Sequence, residues 1–175
     1  MSSVIKSESH ARILVVEDVA VGALDICRLL SDQGYDPVGA ARRGEEAIEL
    51  TEKLRPDLVL MDVNLAGNMD GITAARAIRT RFAVPVVFLT AFTGRETLER
   101  AKEAEPFGYI IKPFDEQDLR TVIEMALYKH RAEFRLRLQS AALAAATNSV
   151  VITDIQGNIE WVNPAFTTLT GYAAA

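Results

Sequence analysis

Short apolar, β-favouring runs alternate along this chain with longer segments whose apolar positions recur at helical spacing. Ile13 to Val16, Asp57 to Met61, Val84 to Leu89 and Gly108 to Ile111 read as strands, with Asp36 to Ala41 as a more polar candidate. Near-continuous apolar runs suit parallel strands buried on both faces. Helices are predicted between them near Ala20–Gln33, Gly44–Leu54, Gly71–Arg81 and Thr93–Ala104. Gly34 follows the first helix, Pro56 precedes the third strand, and Pro85 stands at the start of the fourth, where a missing amide is tolerated. Five βα units of this kind predict an α/β fold, an open doubly wound sheet of five parallel strands.

The last helix is expected to begin near Asp115, an N-cap after Pro113 and Phe114, and to run without a breaker to about Thr147. Leu127, Phe134 and Ala141 repeat at seven, with Leu138 and Ala145 in the intermediate seam, which Arg131 interrupts. This predicts a signalling helix that pairs in a parallel dimer; the alternative is a helix that packs only on its own domain. After Asn148 the pattern becomes strand, turn, strand: Val150 to Thr153, Gln156-Gly157, Ile159 to Val162. About 28 residues from 148 onward are too few to close an independent core. The expected organisation is a polar tail over 1–10, a first domain over 11–129, a helical linker over 130–147 and the start of a second domain over 148–175.

Composition narrows the classes. Hydrophobic residues make up 49% and charged residues 25%, ordinary globular values that exclude a disordered or fibrous chain. A net charge of -5 argues against a nucleic-acid partner, since no basic excess exists to neutralise phosphates. Cys27 is the only cysteine, so neither an internal disulfide nor a cysteine zinc cluster can form, which fits a reducing cytoplasm. No apolar run reaches membrane-spanning length and no signal peptide precedes the fold.

Ligands of doubly wound sheets bind beyond the carboxyl ends of the strands. Those ends carry Glu17-Asp18, Asp62, Thr90 and Lys112. Clustered carboxylates repel one another, and a hard divalent cation such as Mg²⁺ relieves that repulsion. A phosphoryl group moving onto a carboxylate oxygen carries charge that a metal and an amine can neutralise, and Lys112 supplies the amine. Thr90 can donate its hydroxyl to a phosphoryl oxygen, and the backbone amide of Ala91 can do likewise.

Val16-Glu17-Asp18, Leu60-Met61-Asp62, Leu89-Thr90-Ala91 and Tyr109-Ile110-Ile111-Lys112-Pro113-Phe114 resemble, in order and spacing, the motifs of the response-regulator receiver domain. The resemblance covers roughly Ala11 to Lys129 and implies the flavodoxin-like receiver fold. It implies that Asp62 is the phosphoacceptor, Asp18 a direct Mg²⁺ ligand, Glu17 a ligand through water, and Asn64 a ligand through its backbone carbonyl. Thr90 and Tyr109 match the switch pair, and the Lys112 to Pro113 bond is the candidate for a cis peptide, against about 5–6% of such bonds in folded proteins. The family's phosphodonor is a histidine kinase or phosphotransfer protein, and the chemistry on Asp62 is self-catalysed, so the chain is not expected to be a conventional enzyme. One departure stands out: Val63-Asn64-Leu65-Ala66-Gly67-Asn68-Met69-Asp70-Gly71 is one residue longer than the usual loop, with Ala66 where proline is common.

From Ala141 to Tyr172 the chain resembles the opening of a PAS sensory domain, in Thr153-Asp154, Gly157-Asn158, Val162-Asn163-Pro164-Ala165-Phe166 and Thr170-Gly171-Tyr172. That implies a truncated α+β module with no assignable ligand, followed in a longer protein by an output such as a histidine kinase or cyclic-di-nucleotide enzyme. Phosphorylation of Asp62 is expected to switch the attached module, with homodimerisation through the long helix or the receiver face. Two alternatives stand beside this: a degenerate receiver that only scaffolds a dimer, and a haloacid-dehalogenase-type phosphohydrolase, which expects a second Asp where Asn64 stands. His10 lies in the tail, His130 reads as a solvated or interface residue, and Cys27 as a core-facing helix residue.

Overall fold

The computed structural model describes residues 10–91 and 104–172. The tail expected over 1–10 and the helix expected over 93–104 lie almost wholly outside the described residues. The chain divides into two compact units, Met1–His130 and Arg131–Ala175.

In the first unit, β1 (Arg12–Val16), α1 (Ala20–Asp32), β2 (Asp36–Ala41), α2 (Gly44–Leu54), β3 (Leu58–Asp62), α3 (Gly71–Phe82), β4 (Val86–Thr90) and β5 (Gly108–Ile111) follow one another, and α4 (Glu116–Ala145) begins. All neighbouring strands pair in parallel, in the order β2-β1-β3-β4-β5. Because successive strand residues point to opposite faces, each apolar run feeds two cores. Leu14, Val16, Val59, Met61 and Phe88 meet Ala47 of α2 and Ile72, Ala75 and Ile78 of α3. Ile13, Val15, Leu58, Leu60, Val87, Leu89 and Ile110 meet Ile26 and Leu30 of α1 and Leu119, Ile123 and Ala126 of α4. Each large side chain so buried contributes about 1.5–3 kcal/mol.

Pro37 falls on β2, an edge strand, where its missing N–H is tolerated and a register shift in the pairing with β1 occurs between Ile13 and Leu14. The fourth strand starts at Val86, two residues later than its apolar run. Pro85 stands just outside, its carbonyl accepting the Val59 amide at 3.0 Å. The third strand is displaced by one residue, so Asp62 closes it and still pairs with Leu89. Asp70 caps α3, accepting from the Thr73 amide at 2.8 Å.

Leu127 departs from the seam expected of it. It is buried in the second core at 9% exposure, whereas Phe134 and Leu138 further along α4 are 63% and 60% exposed. A core stripe and a heptad seam share the same spacing over two turns, so periodicity alone could not separate them.

The second unit holds the distal part of α4, an antiparallel hairpin of β6 (Val151–Thr153) and β7 (Ile159–Val162), and α5 (Pro164–Thr170). Gly157 takes φ +88° in the hairpin turn, a conformation that glycine adopts without penalty. No described helix is long and apolar enough to cross a membrane.

Candidate functional site

Parallel pairing of β1, β3 and β4 brings the ends of these strands to one edge of the sheet, and β5 delivers Lys112 there. Glu17, Asp18 and Asp62 converge so that one carboxylate oxygen of each lies within 4.8 Å of the others. Glu17 is 3% exposed and Asp62 7%. Lys112 Nζ bridges the two, donating at 2.5 Å to Glu17 Oε2 and at 2.5 Å to Asp62 Oδ2. The other oxygen of Asp62, Oδ1, accepts from the Asn64 amide at 2.8 Å, and Glu17 Oε1 accepts from the Val19 amide at 3.4 Å.

Burial pushes the Glu17 carboxyl above its ordinary value; Lys112 opposes that rise and the Asp62 charge adds to it. Burial also works against the Lys112 cation, but the hydrogen bonds and charges of Asp62 and Glu17 outweigh it and hold this amine above the usual lysine range. The set is thus a desolvated carboxylate pair bridged by one ammonium, which offsets only part of its negative charge. Three hard oxygen donors, two of them buried, fit an oxygen-seeking divalent cation.

Thr90 ends β4 half-buried, and its carbonyl accepts the Lys112 amide at 2.8 Å, tying the fourth strand to the lysine. Tyr109 packs half-buried on the first core, its ring 5.9 Å from that of Phe88. Ala91 follows Thr90 at an exposed position. The Lys112–Pro113 peptide is cis.

The loop after Asp62 is held from two sides. Gly71 approaches so closely that a Cβ there would lie 1.9 Å from the Asp62 carbonyl oxygen, so no side chain fits. Met69 fills the notch at Gly44, where a Cβ would come within 2.8 Å of Met69 Cγ. The long loop therefore leans on the start of α2, and a cavity of about 460 Å³ opens there, lined by Asp18, Arg42, Arg43, Glu46 and Ala66. Sequence reading missed these arginines, because it is the parallel register of β1 and β2, with Val16 opposite Ala41, that brings the residues after β2 beside Asp18.

His130 is half-buried, its ring edge-on to Phe107 at 5.5 Å, while Arg79 and Lys129 lie 5.7 and 5.3 Å from the same ring. Cys27 lies half-buried against the second core, its thiol pushed up by burial.

A five-stranded parallel sheet of this order, with acids at its strand ends and a lysine bridging two of them, places the first unit in the class of flavodoxin-like α/β domains. Residues 13–124 match the model of the response regulator receiver domain, and the chain belongs to that family. It is 41% identical over 133 residues to the transcriptional regulatory protein PdtaR of Mycobacterium tuberculosis, covering 76% of this chain and 64% of PdtaR. It is 32% identical to the phyllosphere-induced regulator PhyR of Methylorubrum extorquens, covering 77% of this chain and 50% of PhyR. The chain thus spans less than two thirds of either relative. Among solved structures it resembles the receiver domain of a modulated diguanylate cyclase from Desulfovibrio desulfuricans G20, with TM-score 0.68, 37% identity and coverage of 71% of this chain and 98% of that one. It also resembles the N-terminal domain of a response regulator/sensory box/GGDEF three-domain protein from Carboxydothermus hydrogenoformans, with TM-score 0.65, 40% identity and coverage of 70% and 98%.

Proposed function

We propose that Asp62 accepts a phosphoryl group and that this chain is the regulated input of a longer signalling protein. The observation that carries the reading is the bridge from Lys112 to Asp62 and Glu17 at 2.5 Å, a cation held where charge would develop on a transferred group. Asp62 Oδ would attack phosphorus while the bond to the donor's leaving group breaks, and the leaving group departs with the electron pair. The Asn64 amide on Oδ1 fixes the carboxylate plane. Glu17, Asp18 and Asp62, with the Asn64 carbonyl, would hold Mg²⁺. The bound cation would supply charge neutralisation on the phosphoryl oxygens. Lys112 then pairs with the phosphoryl group, and Thr90 and the Ala91 amide donate to it.

Phosphorylation adds about -1.5 to -2 charge beside Thr90. Movement of Thr90 toward it frees the space into which Tyr109 turns, and the region around β4 and β5 repacks. Receivers of two-component systems take phosphoryl groups from histidine kinases, and a histidine kinase or phosphotransfer protein is the donor proposed here. The absence of a basic excess favours regulation through protein contacts over nucleic-acid binding, in a cytoplasmic setting.

The output side is α4, whose Phe134, Leu138, Ala141 and Ala145 form an exposed strip suited to a parallel homodimer. The hairpin and α5 are read as the beginning of a PAS module. The receiver, sensory box and GGDEF order in the Carboxydothermus hydrogenoformans protein supports that arrangement. Sizing with and without beryllofluoride tests the dimer: a phosphorylation-dependent change in mass is expected, and a monomer at high concentration under both conditions contradicts it. Uptake of one phosphoryl group by wild type and none by Asp62→Asn tests the acceptor.

A further inference from the structure

Arg43 stands at the N-cap of α2 with extended backbone (φ -136°, ψ 155°), yet its side chain caps nothing. An arginine there forgoes the capping that Ser, Thr, Asp or Asn would give, and sets a cation at the positive end of the helix dipole. Among the described residues no hydrogen bond or ion pair offsets this. The neighbouring Arg42 is engaged, its Nε donating to the Asp18 carbonyl at 3.1 Å and its amide to Glu46 Oε2 at 2.8 Å. Both arginines line the 460 Å³ cavity whose other walls are Asp18, Glu46 and Ala66. Gly67, at φ +118°, packs toward the Arg43 stem, so the longer loop after the acceptor shapes the same cavity.

Two arginines and two acidic residues line it, a balanced set of charges. Once Asp18 is engaged by a divalent cation its charge is neutralised, and the cavity becomes net positive beside the acceptor. An anion is then favoured in it, and the anion that must approach Asp62 is the phosphoryl group of the donor. A planar guanidinium suits phosphoryl oxygens better than any other side chain.

Resting on the acceptor assignment of Asp62, we infer that Arg43 is a positioning residue for the phosphodonor, receiving the donor's phosphoryl dianion in this cavity before transfer. The dianion could come on a small acyl phosphate or on a phosphorylated imidazole. In the first, the Asp62 oxygen forms its bond to phosphorus as the P–O bond to the carboxylate breaks. In the second, the P–N bond breaks and the imidazole nitrogen keeps the pair, taking a proton from solvent.

The test follows phosphoryl uptake by intact mass in Mg²⁺, with acetyl phosphate and separately with monophosphoimidazole, for wild type, Arg43→Asn and Arg43→Lys. Arg43→Asn is expected to slow uptake roughly tenfold with both donors, and Arg43→Lys to stay within about threefold of wild type. Beryllofluoride binding by isothermal titration should be unchanged, because the bound mimic has already passed the cavity. Arg43→Asn should also raise the thermal midpoint by about 2–4 °C, since a capping residue replaces a poorly placed cation. Equal uptake rates in all three proteins overturn the inference. Slowing with acetyl phosphate alone overturns it too, because the contact would then be with the acyl group. Slower uptake with a lowered midpoint assigns Arg43 a structural role instead. A wild type that takes up no phosphoryl group from either donor removes the acceptor reading itself, and this inference with it.

Discussion

In the unit Met1–His130, every side chain of β3 and those from Ile13 to Val16 in β1 are buried, and all but Asp62 are apolar. In Arg131–Ala175 the one buried residue among those described is polar: Asn163, at 1% exposure. Its Oδ1 accepts from the amides of Val150 at 2.9 Å and Phe166 at 3.1 Å. Its Nδ2 donates to the carbonyls of Asn148 at 2.9 Å and Ala146 at 3.1 Å, with Leu143 further off at 3.4 Å. The first unit is stabilised by many apolar contacts spread over two cores. The second is organised around a single amide that joins the end of α4, the start of β6 and the first turn of α5. The difference separates a rigid platform for chemistry from a joint that can open locally without unfolding the rest.

The largest effect expected is on the platform. Phe88→Ala should lower the unfolding free energy by about 3–5 kcal/mol, seen as a lower denaturant midpoint for the whole receiver; a loss under 1 kcal/mol would deny the two-faced core its role. Next, Asn163→Ala should cost about 1–3 kcal/mol, confined to the joint. Amide exchange should quicken between residues 143 and 166 while the receiver's midpoint holds. If that midpoint falls equally, the two units are not energetically separate.

A smaller, pH-dependent effect is expected at Glu17. Its folded pKa lies above the ordinary 4.5, so the folded protein binds this proton more tightly than the unfolded chain. The contribution of Glu17 to stability therefore falls as pH rises from 4.5 through the raised value, and a constant penalty remains above it. Relative to wild type, Glu17→Gln should gain stability across that window and lose the gain as pH returns to 4.5; paired denaturation curves with a flat or opposite difference would contradict the assignment. The smallest effect belongs to Ala83, which ends α3 at φ +54°. Ala83→Gly should stabilise by about 0.5 kcal/mol, the left-handed strain outweighing the added chain entropy; a loss of stability would contradict that balance.

Much of the platform was legible because strands buried on both faces must be continuously apolar, so polar residues at their ends stand out. Asp62 and Lys112 were found in this way. Residues defined by long-range closure were not. Leu127 and Phe134 look alike at a spacing of seven, yet one enters the core and the other faces solvent. Arg43 is an unremarkable surface arginine until the pairing of β1 with β2 brings it beside Asp18. Asn163 entered only as part of the Val162 to Phe166 motif; its capping bond from the Phe166 amide and its hold on the end of α4 depend on where the hairpin returns. The ring that His130 meets edge-on is that of Phe107, far away in sequence, which no local pattern reports.

The central claim is that Asp62 receives a phosphoryl group in a site assembled from four strand ends. Intact-mass analysis after incubation with Mg²⁺ and acetyl phosphate tests it most directly, with Asp62→Asn beside the wild type. One phosphoryl adduct on the wild type and none on the variant is the predicted result. An adduct on both proteins, or on neither, would contradict it.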